Sequence, residues 1–204
     1  MRLVLVRHGR PDEDDAERPH DPPLRADGLA QARAVAARLA QEGITRIVSS
    51  PLARAAQTAQ PLADALGLPI ERIEGWAEAD RHVDRYRSTE TLRALDEPEW
   101  SRFLEDPIAF FGGNADAFRS EVLGALSTTV AHGGPDAHVA VFTHGLPINV
   151  VLSHALGLSR IVHFAPGNGS ITRLRLLGAG TIGVASVNER GHMPPTKRRP
   201  SPPT

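Results

Sequence analysis

Two histidines in this chain stand in matching surroundings. Arg7-His8-Gly9 follows the apolar run Leu3-Val4-Leu5-Val6, and Thr143-His144-Gly145 follows Val139-Ala140-Val141-Phe142. Runs apolar at every position are how strands buried on both faces of a parallel sheet are written. The carboxyl ends of such strands are where open α/β sheets hold their ligands. Arg54 comes soon after a third run, Ile47-Val48, and so falls at the same sheet edge as Arg7. If the two strands that lead into the histidines are neighbours, His8 and His144 face each other across one crevice with two guanidinium groups beside them.

Two imidazoles and at least two arginines suit the handling of a phosphoryl group. A phosphate monoester carries close to two negative charges, and guanidinium forks match its oxygens bidentately. One neutral imidazole can attack phosphorus, since its ordinary pKa leaves it largely unprotonated near pH 7. The other can hydrogen-bond the oxygens that gain charge. The leaving alcohol then needs a proton, which a carboxylic acid such as Glu78 can supply and later recover from water. Glu74 and Asp80 lie close by in sequence and are open alternatives. The remaining histidines, His20, His82, His132, His138, His154, His163 and His192, have no such pairing and read as structural.

The elements that must position these groups follow in order. Residues 11–25 are polar and proline-rich, with acids at Asp12, Glu13, Asp14 and Asp15, and read as a loop over the end of the first strand. Leu29, Ala32, Val35, Ala36 and Leu39 recur at helical spacing before Gly43. After the second strand, Ser50 is placed to cap a helix with Pro51 in its first turn, carrying Leu52, Ala55, Ala56, Ala59, Leu62, Ala63 and Leu66. Pro61 predicts a kink or break in it. Residues 69–73 read as a third strand, and 81–131 as a helical insertion over the site. Residues 138–143 are a buried strand, 171–176 another, Gly178-Ala179-Gly180 a turn, and 181–187 an antiparallel edge strand. The expected fold is therefore α/β, a three-layer αβα sandwich on a mostly parallel sheet. Residues 1–188 form one domain, and the basic, proline-rich residues 189–204 are expected to be disordered.

Composition narrows the function further. The 204 residues allow one well-filled α/β domain. Lys and Arg number 23 against 24 Asp and Glu, for a formal charge of -1, so nothing draws the chain generally to nucleic acid or an anionic membrane. With no cysteine, disulfides, thiolate metal sites and a cysteine nucleophile are excluded. The four apolar residues before Arg7 fall short of the about 7 to 15 of a signal-peptide core, and no stretch reaches the roughly 20 that span a bilayer. A cytoplasmic protein is expected. Dinucleotide, Walker-type and zinc-protease motifs are absent, so no cofactor and no metal are expected. The expected partner is a small phosphorylated substrate.

In its motifs and their order the chain resembles the histidine phosphatase superfamily, the phosphoglycerate-mutase-like proteins. Leu5-Val6-Arg7-His8-Gly9 resembles the nucleophile motif, and residues 21–32 the loop and helix after it. Residues 49–59 are similar to the segment that donates a second arginine, Thr143-His144-Gly145 to the second histidine motif, and Asn168-Gly169-Ser170-Ile171 to the start of the strand beyond. The chain differs in having Arg10 and Pro11 where the family commonly has an acidic residue and then Thr or Ser. The resemblance implies that His8 is the phosphorylated nucleophile, that Arg7, Arg54, His8, His144 and Gly145 form the phosphate pocket, and that Glu78 is the proton donor, since Trp76-Ala77-Glu78 sits where the family carries its acid. It implies a metal-independent phosphomonoester hydrolase acting through phosphohistidine on a small metabolite. A phosphomutase that returns the group to substrate, and a non-catalytic phospholigand-binding module, are the alternatives.

Overall fold

The computed structural model describes residues 1–95, 97–177 and 180–193. Six strands form one sheet: β1 (Arg2–Arg7), β2 (Arg46–Ser49), β3 (Ile70–Arg72), β4 (His138–Thr143), β5 (Ile171–Leu176) and β6 (Ile182–Glu189), in the order β3-β2-β4-β1-β5-β6. β1 and β4 lie side by side in parallel, with Arg7 opposite Thr143, so the residues that follow, His8 and His144, leave the sheet together. β2 pairs in parallel with β4 and β3. The edge strand β6 is antiparallel to β5, as expected, and β5 is itself antiparallel to β1.

The unbroken apolar runs are explained by cover on both faces. Leu3, Leu5, Val48, Val139 and Val141 point to one face, under α6 (Ala115–Ala131) and α7 (Gly145–Leu156). Val4, Val6, Ile47, Ala140 and Phe142 point to the other, under α1 (Ala26–Leu39) and α2 (Ala53–Leu66). This is the three-layer sandwich. Two short 3₁₀ turns (Glu74–Trp76 and Ala79–His82) and helices α3 (Thr89–Leu95), α4 (Glu97–Glu105) and α5 (Pro107–Phe110) occupy the stretch between β3 and α6. Among the described residues no helix is long and apolar enough to cross a membrane.

Several expectations need correction. On α1 it is Gly28, not Leu29, that turns inward; Leu29 is 39% exposed. A Cβ on Gly28 would collide with the backbone of Arg10, and one on Gly9 would come within 2.6 Å of the Gly28 carbonyl oxygen. The glycine after His8 therefore makes room for a helix rather than for a ligand. Pro61 does not break α2, which runs unbroken through it: the ring removes one N–H, and the surrounding turns keep their bonds. Of the expected insertion over 81–131, α6 belongs to the sandwich, because Phe118, Val122, Ala125 and Leu126 pack on the sheet. Residues 189–193 are ordered: Glu189 ends β6 and pairs with Arg173, and Met193 packs against the α1 side of the core. The rest of the expected tail, 194–204, and Gly178 and Ala179 of the expected turn, lie outside the described residues.

Candidate active site

β1 and β4 deliver their histidines to one place: the His8 and His144 ring centroids are 5.0 Å apart at an interplanar angle of 56°. Both side chains are buried. His8 Nδ1 lies 2.7 Å from the carbonyl oxygen of Gly9. A carbonyl can only accept, so Nδ1 carries the proton and Nε2 keeps its lone pair. Burial, followed by the charges of Arg54 and Arg7, holds the His8 pKa well below its ordinary value; the bond to Gly9 opposes them. The ring is therefore neutral near pH 7. The backbone that presents it is tied down from two sides. Gly9 N–H donates to Thr58 Oγ1 at 2.9 Å, and the Asn168 side chain and the Gly169 N–H donate to the His8 carbonyl.

His144 begins the turn into α7. Its Nε2 is 2.8 Å from Ser50 Oγ, and Ser50 Oγ already accepts the Leu52 N–H. The remaining serine hydrogen can then point to Nε2, which puts the proton of neutral His144 on Nδ1. Burial, then Arg54, His8 and Arg7, holds this pKa well below the ordinary value too. The expected role of Ser50 as cap of α2 is corrected here. Leu52 is the capping residue and makes no side-chain bond; the Ala53 N–H instead donates to Asp21, from the loop, at 2.9 and 3.0 Å.

Arg54, in the first turn of α2, is wholly buried. Its Nη2 donates to Asp80 at 2.7 Å, Nη1 is 3.6 Å from Asp21, and its guanidinium lies 4.5 Å from the Tyr86 ring centroid. One turn further along α2, Thr58 donates to the Arg54 carbonyl while accepting from Gly9, so the loop after β1 and this helix are locked together. Arg7 Nη1 donates to the Pro166 carbonyl at 2.6 Å. Four buried nitrogens have no hydrogen-bond partner among the described residues: Arg7 Nε, Arg54 Nε, Arg54 Nη1 and His144 Nδ1. Leaving such donors unmet in a protein interior is costly, and their signs all call for an anion.

Glu78 is brought to the same place, and exposed Glu74 is not. The segment that carries it is anchored by Thr143, whose hydroxyl donates to the Trp76 carbonyl, and by the Trp76 indole, which donates to Thr129 on α6. Its carboxylate accepts from Ala79 N–H at 3.0 Å and from Leu146 N–H, at the start of α7, at 3.2 Å. Gly145 sits between: a Cβ there would be 3.8 Å from Glu78 Oε2 and 4.0 Å from Arg7 Nε. Burial first, and the neighbouring Asp80 second, raise the Glu78 carboxyl from 4.5 to about 7, against the two backbone bonds and Arg54. Asp80 is engaged with Arg54, which makes it the partner of the cation and not a free acid. Among the described residues no group of three or more His, Cys, Asp or Glu side chains is disposed to hold a metal ion.

Every expected site residue, His8, His144, Arg7, Arg54, Glu78 and Gly145, thus lies in one enclosure. Thr58 and Tyr86 were missed, Ser50 was read only as a helix cap, and Asp80 was an alternative for the acid where the structure makes it the partner of Arg54. The spacing of Arg54 and Thr58, one helical turn apart, was the one signal that could have found any of them.

Comparison with known proteins agrees with this geometry. Residues 3–189 match the family model of the histidine phosphatase superfamily, branch 1. The chain is 32% identical over 168 residues to a Proteus mirabilis protein named "Probable phosphoglycerate mutase GpmB", covering 78% of this chain and 76% of that protein. Among solved structures, a mycobacterial glucosyl-3-phosphoglycerate phosphatase superposes with a TM-score of 0.77 at 25% identity, over 93% of this chain and 99% of that one. Phosphoserine phosphatase from Entamoeba histolytica, solved with 3-phosphoglyceric acid, gives 0.73 at 25% identity over 94% and 98%. With paired strand-end histidines that the fold places in contact, and a family match spanning nearly the whole described chain, this protein belongs to the histidine phosphatase superfamily.

Proposed function

We propose that this chain hydrolyses small phosphomonoesters through a phosphohistidine formed on His8, without a metal ion. The observation that carries the reading is a neutral His8, its Nδ1 proton fixed on the Gly9 carbonyl, beside four unmet nitrogens of Arg7, Arg54 and His144. Such an enclosure binds a phosphoryl group, holds its oxygens, and leaves Nε2 free to attack.

The chemistry balances as follows. Nε2 of His8 forms a bond to phosphorus as the bond from phosphorus to the ester oxygen breaks. The leaving oxygen takes the proton of Glu78, whose pKa of about 7 keeps the acid form populated at neutral pH. The phosphorylated ring keeps its Nδ1 proton, and the positive charge it gains is met by the Gly9 carbonyl. Glu78, now a carboxylate, takes a proton from water, the water oxygen bonds to phosphorus, and Nε2 is released with inorganic phosphate. Arg7, Arg54 and the Nδ1–H of His144 stabilise the equatorial oxygens in both steps.

A second reading is favoured by one observation, the relatedness to a protein named as a phosphoglycerate mutase. There the phosphoryl group would return from His8 to a second hydroxyl instead of water. Incubation with 3-phosphoglycerate and a trace of bisphosphoglycerate separates the two: free phosphate is expected here, and isomerisation without it would establish the mutase. A binding module without turnover predicts phosphate binding and no hydrolysis of p-nitrophenyl phosphate in the same assay.

A further inference from the structure

Arg7 enters the enclosure with one side-chain bond, from Nη1 to the Pro166 carbonyl at 2.6 Å, while its Nε has no partner among the described residues. The direction of that carbonyl therefore sets how the guanidinium fork meets a bound anion. Pro166 has no N–H of its own by which to be held, and its carbonyl belongs to the peptide group it shares with Gly167. That group is planar and trans, so its C=O and N–H point in opposite directions and fixing one fixes the other. The Gly167 N–H donates to Asn188 Oδ1 at 2.8 Å, and Asn188 Nδ2 donates to the Ala165 carbonyl, on the other side of the proline, at 3.4 Å. One rigid peptide thus connects the Asn188 side chain to Arg7.

The backbone of Asn188 is bent to make this reach. With a φ of 57° it is the only non-glycine residue of positive φ among the described residues, a conformation that asparagine tolerates better than most side chains. It lies where β6 is irregular: Ile171 pairs with Glu189 and Arg173 with Ser186, so β6 carries one extra residue over that span. Such bulges re-aim a side chain and are common beside active sites. The Asn188 N–H is met by Thr172 Oγ1 at 3.3 Å, and the residue is exposed, so its amide serves the segment 165–167 and not the core. The rest of that segment grips only backbone. Ser170 accepts the Arg7 N–H, and the Gly169 N–H donates to the Arg7 and His8 carbonyls. Pro166 is the point at which it reaches the Arg7 side chain.

We propose that Asn188 is a positioning residue for Arg7: through the Pro166–Gly167 peptide it holds the guanidinium in the orientation that meets the equatorial oxygens of the phosphoryl group. The proposal rests on the phosphomonoesterase reading above and adds a residue to its machinery. An Arg7 released from this hold keeps its charge in the enclosure and still attracts the substrate dianion, so KM changes little. Alignment in the transition state is what is lost, and kcat falls.

The test uses Asn188→Gly, which adopts the positive φ without strain but removes the amide, and Asn188→Asp, which tolerates the same backbone and keeps an acceptor for the Gly167 N–H. In Asn188→Gly, kcat on p-nitrophenyl phosphate is expected to fall about tenfold with KM within about twofold, and affinity for orthovanadate, which mimics the transferring phosphoryl group, to fall about as much as kcat. The urea midpoint should stay at or above that of the wild type, so the loss is not one of folding. Asn188→Asp should recover most of both. Wild-type kcat and vanadate affinity per folded molecule in Asn188→Gly, a loss confined to KM, or a loss in Asn188→Asp as large as in Asn188→Gly overturns the proposal. A wild type that binds vanadate without hydrolysing p-nitrophenyl phosphate refutes the parent reading alone, and vanadate affinity across the variants then decides the role of Asn188. A wild type that does neither refutes both.

Discussion

Replacing Glu78 with Gln should make the protein more stable at alkaline pH and nearly inactive. The carboxyl is held at about 7 instead of 4.5, first by burial and then by Asp80. An acid whose pKa is raised on folding binds a proton more tightly when folded, so stability is lost as pH climbs from 4.5 through 7 and the full loss remains above that. Those two values correspond to roughly 3 kcal/mol. Gln resembles the neutral acid at every pH. It gives up one acceptor, leaving the Ala79 or Leu146 N–H poorly met, at a cost of about 1 kcal/mol. The net expectation is a gain of about 2 kcal/mol near pH 8.5 that shrinks to zero or below near pH 5. Urea titrations of both proteins at the two pH values read it directly, with the m-value unchanged. In parallel, kcat on alkyl phosphates should fall by about 10²- to 10⁴-fold. The first-turnover burst of p-nitrophenol from p-nitrophenyl phosphate, whose leaving group departs without help from an acid, should fall much less, while steady-state turnover falls with it because release of phosphate from His8 needs the Glu78 carboxylate as base. A stability difference that is the same at both pH values, or a variant less stable at pH 8.5, would refute the account of Glu78 as a buried acid poised near neutrality.

Arg54→Ala should cost about 3 kcal/mol or more in stability, because it strands Asp80 as a buried charge; the Arg54→Ala/Asp80→Asn double variant should recover much of that loss in chemical denaturation while phosphate binding stays abolished. Ser50→Ala should lower kcat by about tenfold, the effect of one lost hydrogen bond in a buried network. The ¹⁵N shifts of His144 should show its neutral proton moving off Nδ1. Gly28→Ala should reduce both stability and kcat/KM, since the added methyl meets the Arg10 backbone and displaces the loop that carries His8; the loss should show in the thermal midpoint and in hydrolysis together.

How much of this was legible in the sequence depends on whether local chemistry or distant contacts decide each feature. The β1 and β4 runs were readable because burial on both faces removes every polar position, and the strand ends then announce Arg7, His8 and His144 by contrast. That the two strands are neighbours was a conditional inference, because 130-odd intervening residues say nothing about sheet order, and the pairing of Arg7 with Thr143 supplied it. Gly28 was passed over in favour of Leu29 because an apolar pattern has no symbol for a missing side chain that permits backbone contact. Ser50 looked like a cap because a serine before a proline usually is one; the bond to the Ala53 N–H came instead from Asp21, 32 positions before it, and the Ser50 hydroxyl, which accepts the Leu52 N–H, also meets His144. Choosing among Glu74, Glu78 and Asp80 required knowing that Asp80 reaches Arg54, a tertiary fact. The residues after Glu189 looked like a solvated tail, yet His192 bonds to the Gly169 carbonyl and Met193 packs on the core, contacts that composition does not register.

The account stands most directly on a covalent bond to His8. Rapid acid-free quenching during turnover of a phosphomonoester, followed by mass spectrometry of intact protein and peptides, should find one phosphoryl group on His8, stable to base and lost in acid, and none in His8→Ala. Turnover of the wild type with no phosphorylated peptide, with the group on another residue, or with activity retained in His8→Ala would contradict it.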